Sequence, residues 1–145
     1  MVKFCVCMDG SEKAHAAFLR AISLCKPEDT IITLVVVDFV HYMMSNPKAN
    51  ELTSFTNMKQ EMLENGDKLI KTYEDLAKDE YNIINYSSIK LEGNPRDMIM
   101  KVVDEQRIDV LLLGVVGLMN GENISMGSTS NFCIRNCHCD VLLCK

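Results

Sequence analysis

The chain has 145 residues, of which 48% are hydrophobic and 24% charged, and its formal net charge is -5. This length predicts one domain over residues 1–145 with a sizeable buried core. The acidic balance argues against nucleic acid as the main partner, and no apolar run approaches the roughly 18 residues of a membrane helix. Seven cysteines without a recognisable secretion signal favour reduced thiols in a cytoplasmic protein.

The first strands and the first helix have strong sequence signals. Residues 2–8 are apolar almost throughout and end at Asp9-Gly10, which is typical of a strand buried on both faces of a parallel sheet. Ser11 is placed to cap a helix whose apolar residues recur at helical spacing until Pro27 ends it. A second buried strand, rich in β-branched residues, is predicted over Thr30–Val37.

The middle of the chain is predicted as a loop over residues 38–50, followed by a long amphipathic stretch over residues 52–76. Asn65-Gly66-Asp67 interrupts the apolar stripe, so the pattern allows either one long helix or two shorter ones. The remaining predicted elements are an edge strand over 82–91, a helix begun by Pro95, a strand over 108–113, a helix over 128–137 and a strand over 141–144.

Strands that alternate with helices predict an α/β fold with a five-stranded parallel sheet and helices on both faces. In open sheets of this kind, ligands bind beyond the carboxyl ends of the strands, where the winding reverses. Asp9 and Gly114 both follow such strand ends. A binding site is therefore expected at that edge of the sheet.

A glycine motif follows the fourth predicted strand. Gly114, Gly117 and Gly127 with Ser128 fit the pattern G-x2-G-x9-G-[ST], and a chance match has a probability of about one in a thousand. Glycine lets main chain approach a ligand closely, and the N–H groups at the start of the next helix attract anions. The motif therefore favours a phosphate site.

This motif resembles that of the ATP-binding branch of the universal stress protein family. The resemblance extends over nearly the whole chain, through VKFCVCMDGSEKAHAAF, TLVVVD, EGNPRDMIMKVVDEQRIDVLLLG and GSTSNFCIRNCHCDVLLCK. It implies a Rossmann-like doubly wound domain with the strand order 3-2-1-4-5. It also implies a homodimer formed through the last strand.

The resemblance further implies a set of nucleotide contacts. The acidic residue after the first strand faces the nucleoside, a second-strand valine meets the adenine edge, and the loop glycines and small residues surround the phosphates. One departure is Val115-Val116, where the family usually has a polar pair. The implied positions in this chain are Asp9, Val36, Leu113, Gly114, Gly117, Gly127, Ser128, Thr129 and Ser130.

The implied function is that of an adenine-nucleotide-binding stress or signalling module whose conformation or dimerisation responds to ATP, with Mg²⁺ or Mn²⁺ as a candidate cation. Slow ATP hydrolysis or phosphate transfer at the same site is an alternative, although no residue is an evident general base and no catalytic residue is predicted. A nucleotide-free dimerisation module and a thiol-based redox sensor are further alternatives.

The cysteines are the remaining chemical feature of the chain. The tail carries Cys133, Cys137 and Cys139, whose spacing fits a structural zinc site poorly, so packed thiols are expected. We expect Cys5 and Cys7 to point to opposite faces of the first strand and to remain unpaired.

Overall fold

The computed structural model describes residues 1–45, 52–115 and 127–145 of the chain. The elements in these ranges follow the predicted alternation, with one additional helix. In chain order they are β1 (Lys3–Met8), α1 (Glu12–Leu24), β2 (Thr30–Val37), α2 (Phe39–Ser45), α3 (Leu52–Asp75) continued by a π-helical turn (Leu76–Glu80), β3 (Asn85–Glu92), α4 (Pro95–Gln106), β4 (Val110–Gly114), α5 (Ser128–Asn136) and β5 (Asp140–Cys144).

The five strands form one parallel sheet in the order β3-β2-β1-β4-β5. This confirms the predicted α/β class and the strand order that the resemblance implies. Met8 at the end of β1 lies opposite Val35 on β2, and Val6 lies opposite Leu112 on β4. The chain winds to one side of β1 through β2 and β3 and then to the other side, so the winding reverses between β1 and β4.

Two apolar half-cores hold the helices on the sheet. On one face α1 and α3 contribute Phe18 and Tyr73, which pack against Val6. On the other face Val102 of α4 and Cys133 of α5 pack with the strands. Full burial of a side chain such as Phe18 contributes about 1.5–3 kcal/mol. Within the described ranges, no helix combines the length and hydrophobicity that crossing a bilayer requires.

The prediction of a loop over residues 38–50 was wrong for its first part, because α2 occupies Phe39–Ser45. The Asp38 carboxylate accepts the N–H of His41 at 3.0 Å. Such a bond satisfies a donor that the helix start leaves free, so it favours helix directly after β2. Residues 46–51 lie outside the described part of the chain.

Of the two interpretations of residues 52–76, the structure has the single long helix. α3 continues through Gly66, which is buried against the sheet. A Cβ there would lie 3.3 Å from Lys90 Cδ and 3.4 Å from Val37 Cγ2. The missing side chain therefore lets α3 approach β2 and β3 closely, and this packing outweighs the low helix propensity of glycine.

Candidate functional site

The turn after β1 carries the first predicted site residue. Asp9 is exposed, and its Oδ1 accepts the N–H of Ser11 at 2.9 Å. Gly10 between them has a φ of +83°, a conformation that favours glycine. Asp9 thus holds the turn with one oxygen, while no hydrogen bond from the described residues reaches its Oδ2.

Two residues that the sequence did not single out lie beside this turn. The hydroxyl of Tyr73 on α3 lies 2.8 Å from Nδ1 of His15 on α1. Burial, and secondarily the negative charge of Asp9, raise the pKa of Tyr73. No sequence signal connects the two partners, because they belong to different helices and tertiary packing alone brings them together.

The end of β2 presents a backbone acceptor. The N–H of Gly93 donates to the Val37 carbonyl at 3.0 Å, so Val37 faces β3. Because the polar groups of successive strand residues alternate between neighbouring strands, Val36 faces β1. The pairing of β1 with β2 ends at Met8 opposite Val35. The Val36 carbonyl therefore stands beyond the end of β1, and no residue past Met8 in the described chain bonds to it.

The end of β4 packs directly on the start of α1. Leu113 is buried and lies opposite Leu143 on β5. A Cβ on Gly114 would come within 2.5 Å of the Lys13 carbonyl carbon and 2.7 Å of the Ala14 nitrogen. Real side chains do not tolerate such distances. Glycine at 114 is therefore required by this packing, whether or not a ligand is bound.

The helix α5 begins without a side-chain cap. Gly127 is the N-cap residue, and no side chain from the described residues caps the helix. The first bond into the helix runs from the Asn131 N–H to the Gly127 carbonyl, at 3.0 Å. The N–H groups of residues 128–130 come before the first intrahelical donor, so they have no acceptor within the helix, as at any helix start. Ser128 is exposed, Thr129 is half-buried and Ser130 is buried.

The loop between β4 and α5 is described only at its ends. Gly117 lies outside the described residues, as does Val116. Val115 is buried, and its N–H donates to the Cys144 carbonyl at 2.8 Å. Pairing of β4 with β5 thus continues one residue past Gly114, and an apolar side chain suits this buried position.

The topology brings most of the predicted site to one edge of the sheet. The carboxyl ends of parallel strands lie at the same edge of the sheet. Asp9 follows β1 at this edge, and Gly114 ends the neighbouring strand β4. Because α5 runs back across the sheet and leads into β5, its start at Gly127 lies at that edge as well. The edge offers an open carboxylate oxygen, a backbone carbonyl and an uncapped helix start, which together suit a ligand with both hydrogen-bonding and anionic groups.

Five cysteines lie together in the half-core under α4 and α5. The expectation that Cys5 and Cys7 face opposite ways was wrong, because residues two apart in a strand share a face. Burial raises the pKa of Cys133 to about 12 and that of Cys139 to about 11. No cluster suited to a metal ion occurs among the described histidine, cysteine, aspartate and glutamate side chains.

Comparisons with known proteins agree with this architecture. The sequence model of the Universal stress protein family matches residues 1–145. A universal stress protein of Methanocaldococcus jannaschii is 26% identical over 143 residues, which are 99% of this chain and 81% of that protein. A universal stress protein structure from Lactobacillus plantarum has a TM-score of 0.76 at 20% identity and covers 99% of this chain and 97% of its own. A structure of a universal stress protein family protein from Arabidopsis thaliana with AMP bound has a TM-score of 0.69 at 18% identity. The match covers 100% of this chain and 92% of that chain. The chain therefore belongs to the universal stress protein family.

Proposed function

We propose that this chain binds an adenine nucleotide, ATP in particular, across the carboxyl ends of β1 and β4. The observation that carries the proposal is the uncapped start of α5 at Gly127, at the sheet edge where the winding reverses. An AMP-bound relative with this fold supports it. The nucleotide-bound protein would act as a stress-signalling module in the cytoplasm, with residues 1–145 as one domain.

The adenine would lie over the ends of β1 and β2, and the sugar would extend toward β4. The Val36 carbonyl is an acceptor for the adenine amino group, because β1 ends before reaching it. The open Oδ2 of Asp9 is an acceptor for a ribose hydroxyl. Leu113, half-buried Gly114 and the start of α1 would form the wall beneath the sugar.

The phosphates would lie at the start of α5. Glycine at 127 adds no side chain, the N–H groups of residues 128–130 carry the positive end of the helix dipole, and the exposed Ser128 hydroxyl adds a donor. Ser130 is buried, so it would contribute its N–H rather than its hydroxyl. Gly117 is proposed for the same loop from the motif alone. A Mg²⁺ or Mn²⁺ ion would arrive with the phosphates.

We further propose that this chain binds the nucleotide without turning it over. We also propose that two chains pair through β5. β5 is an edge strand of the described sheet, with the half-buried apolar residues Val141, Leu142 and Leu143. An apolar edge strand is suited to pairing with a second copy. Sedimentation at micromolar concentration should show a dimer, and a monomer throughout would remove this part of the proposal.

A thermal-shift titration tests the binding itself. A ligand that binds only the folded state at 100 times its Kd stabilises that state by about 2.7 kcal/mol. Nucleotide-stripped protein should therefore melt at a higher temperature with millimolar Mg-ATP. An unchanged midpoint would contradict nucleotide binding.

A further inference from the structure

An arginine outside the glycine motif packs against the middle of α5. Arg96 is exposed in the first turn of α4, which begins just after β3 at the same edge of the sheet. Its backbone is held, because the Asn94 side chain accepts the Arg96 N–H at 2.9 Å. The guanidinium carbon lies 5.7 Å from the ring centroid of Phe132 on α5, within cation–π distance.

The position of Phe132 directs this cation to the proposed phosphate site. Ser128 and Phe132 are four residues apart, about 6 Å along the axis of α5. Helical side chains lean toward the N-terminus of their helix, so the Phe132 ring covers the turn before its own Cα. A guanidinium over that ring is therefore beside the first turn of α5.

The Arg96 guanidinium has no acidic partner in the described part of the chain, and its one charge contact there is the Phe132 ring. None of the ion pairs there includes it, and its side-chain N–H groups make no hydrogen bond to the described residues. The first turn of α5 contains no acidic residue that would compete for it. In a chain with a net charge of -5, this is an available cation for an anionic ligand, and its donors suit phosphate oxygens.

We propose that Arg96, positioned by Phe132, contacts the phosphates of the nucleotide and sets a preference for nucleotide over nucleoside. This inference rests on the proposed function, and it adds a specificity-determining residue that the glycine motif does not contain. The contact acts on the phosphates alone, so it distinguishes ATP from adenosine rather than adenine from other bases.

Calorimetric titration of nucleotide-stripped protein with ATP, AMP and adenosine at fixed ionic strength tests the proposal. Arg96→Ala should weaken ATP binding by about tenfold or more, weaken AMP binding less, and leave adenosine binding unchanged. Phe132→Leu, which keeps the arginine but removes the ring that positions it, should weaken ATP binding in part. Arg135→Ala is the matched control, since it removes the same charge from the exposed far end of α5 and should bind like wild type.

The outcomes separate the two proposals. If wild type binds ATP and Arg96→Ala binds it equally well, the role of Arg96 is wrong while nucleotide binding stands. An equal loss for adenosine and ATP would also overturn it, because the arginine would then act on the nucleoside or on the fold. If wild type binds none of the three compounds, the proposed function fails and this inference fails with it.

Discussion

The buried carboxylate of Asp29 accepts the N–H of Val2 at 2.7 Å. Its second oxygen accepts the N–H of Lys26 at 2.9 Å. The residue thus ties the turn between α1 and β2 to the start of β1, the central strand. The hydrogen bonds from Lys26 and then Val2 lower the pKa of this carboxyl group, because they favour its charged form.

Asp29→Asn should lower the melting temperature at pH 7. An amide has one acceptor oxygen, so its NH₂ group must face one of the two N–H donors. Because the folded pKa is lowered, the stabilisation is present above the unfolded pKa of about 4 and is lost as pH falls through the folded value. The gap in melting temperature between wild type and variant should therefore narrow in acid. Glu28→Gln alters an exposed neighbour and should change the melting temperature little at either pH. A melting-temperature gap between wild type and Asp29→Asn that widens in acid would contradict the lowered pKa of Asp29.

Gly114→Ala should destabilise the fold by about 1–3 kcal/mol, the usual cost of overpacking. The new Cβ would meet backbone atoms of Lys13 and Ala14, which cannot move aside without shifting α1. Gly66→Ala is the matched control, since its nearest neighbour is the flexible Lys90 side chain, and we expect a change of about 1 kcal/mol or less. Urea unfolding measures both variants. Equal stability of Gly114→Ala and wild type would show that α1 and β4 are not packed so closely.

The thiols should be slow to react in the folded protein. Burial raises the pKa of Cys133 to about 12, and the thiolate is the reactive form. A chromogenic disulfide reagent at pH 7 should therefore modify the native protein slowly, and all seven cysteines only after denaturation in urea. Rapid modification of several thiols in the native state would instead favour the thiol-sensor alternative.

Local patterns predicted most of the fold. Thr30–Val37 is a strand with the predicted bounds because its β-branched run is buried on both faces, and α1 begins after Ser11 because that side chain caps it, accepting the Ala14 N–H at 3.1 Å. Hydrophobic periodicity and capping act within a few residues, so they can be recognised without any tertiary contact.

The features that the sequence did not predict depend on tertiary contacts. The packing of Gly66 against β2 and β3 decides that α3 is one helix. The contact of Arg96 with Phe132 joins residues from different helices. The start of α2 is the exception, because its hydrogen bond at Asp38 is local. The candidate site residues follow from the glycine motif and from the family resemblance. The fold adds that packing against α1 requires glycine at 114 whether or not a ligand is bound.

Calorimetric titration of Mg-ATP into nucleotide-stripped wild type, Gly127→Asp and Gly127→Asn tests the proposed phosphate site directly. Gly127 has φ -61° and ψ 159°, a conformation that any residue adopts and that suits Asp and Asn as N-caps, so both variants should fold and melt close to wild type. We predict saturable binding by wild type, weaker binding by Gly127→Asn and no binding by Gly127→Asp, whose carboxylate occupies the helix start and repels phosphate. Binding by Gly127→Asp equal to wild type, or no binding by folded wild type, would contradict a phosphate site at the start of α5.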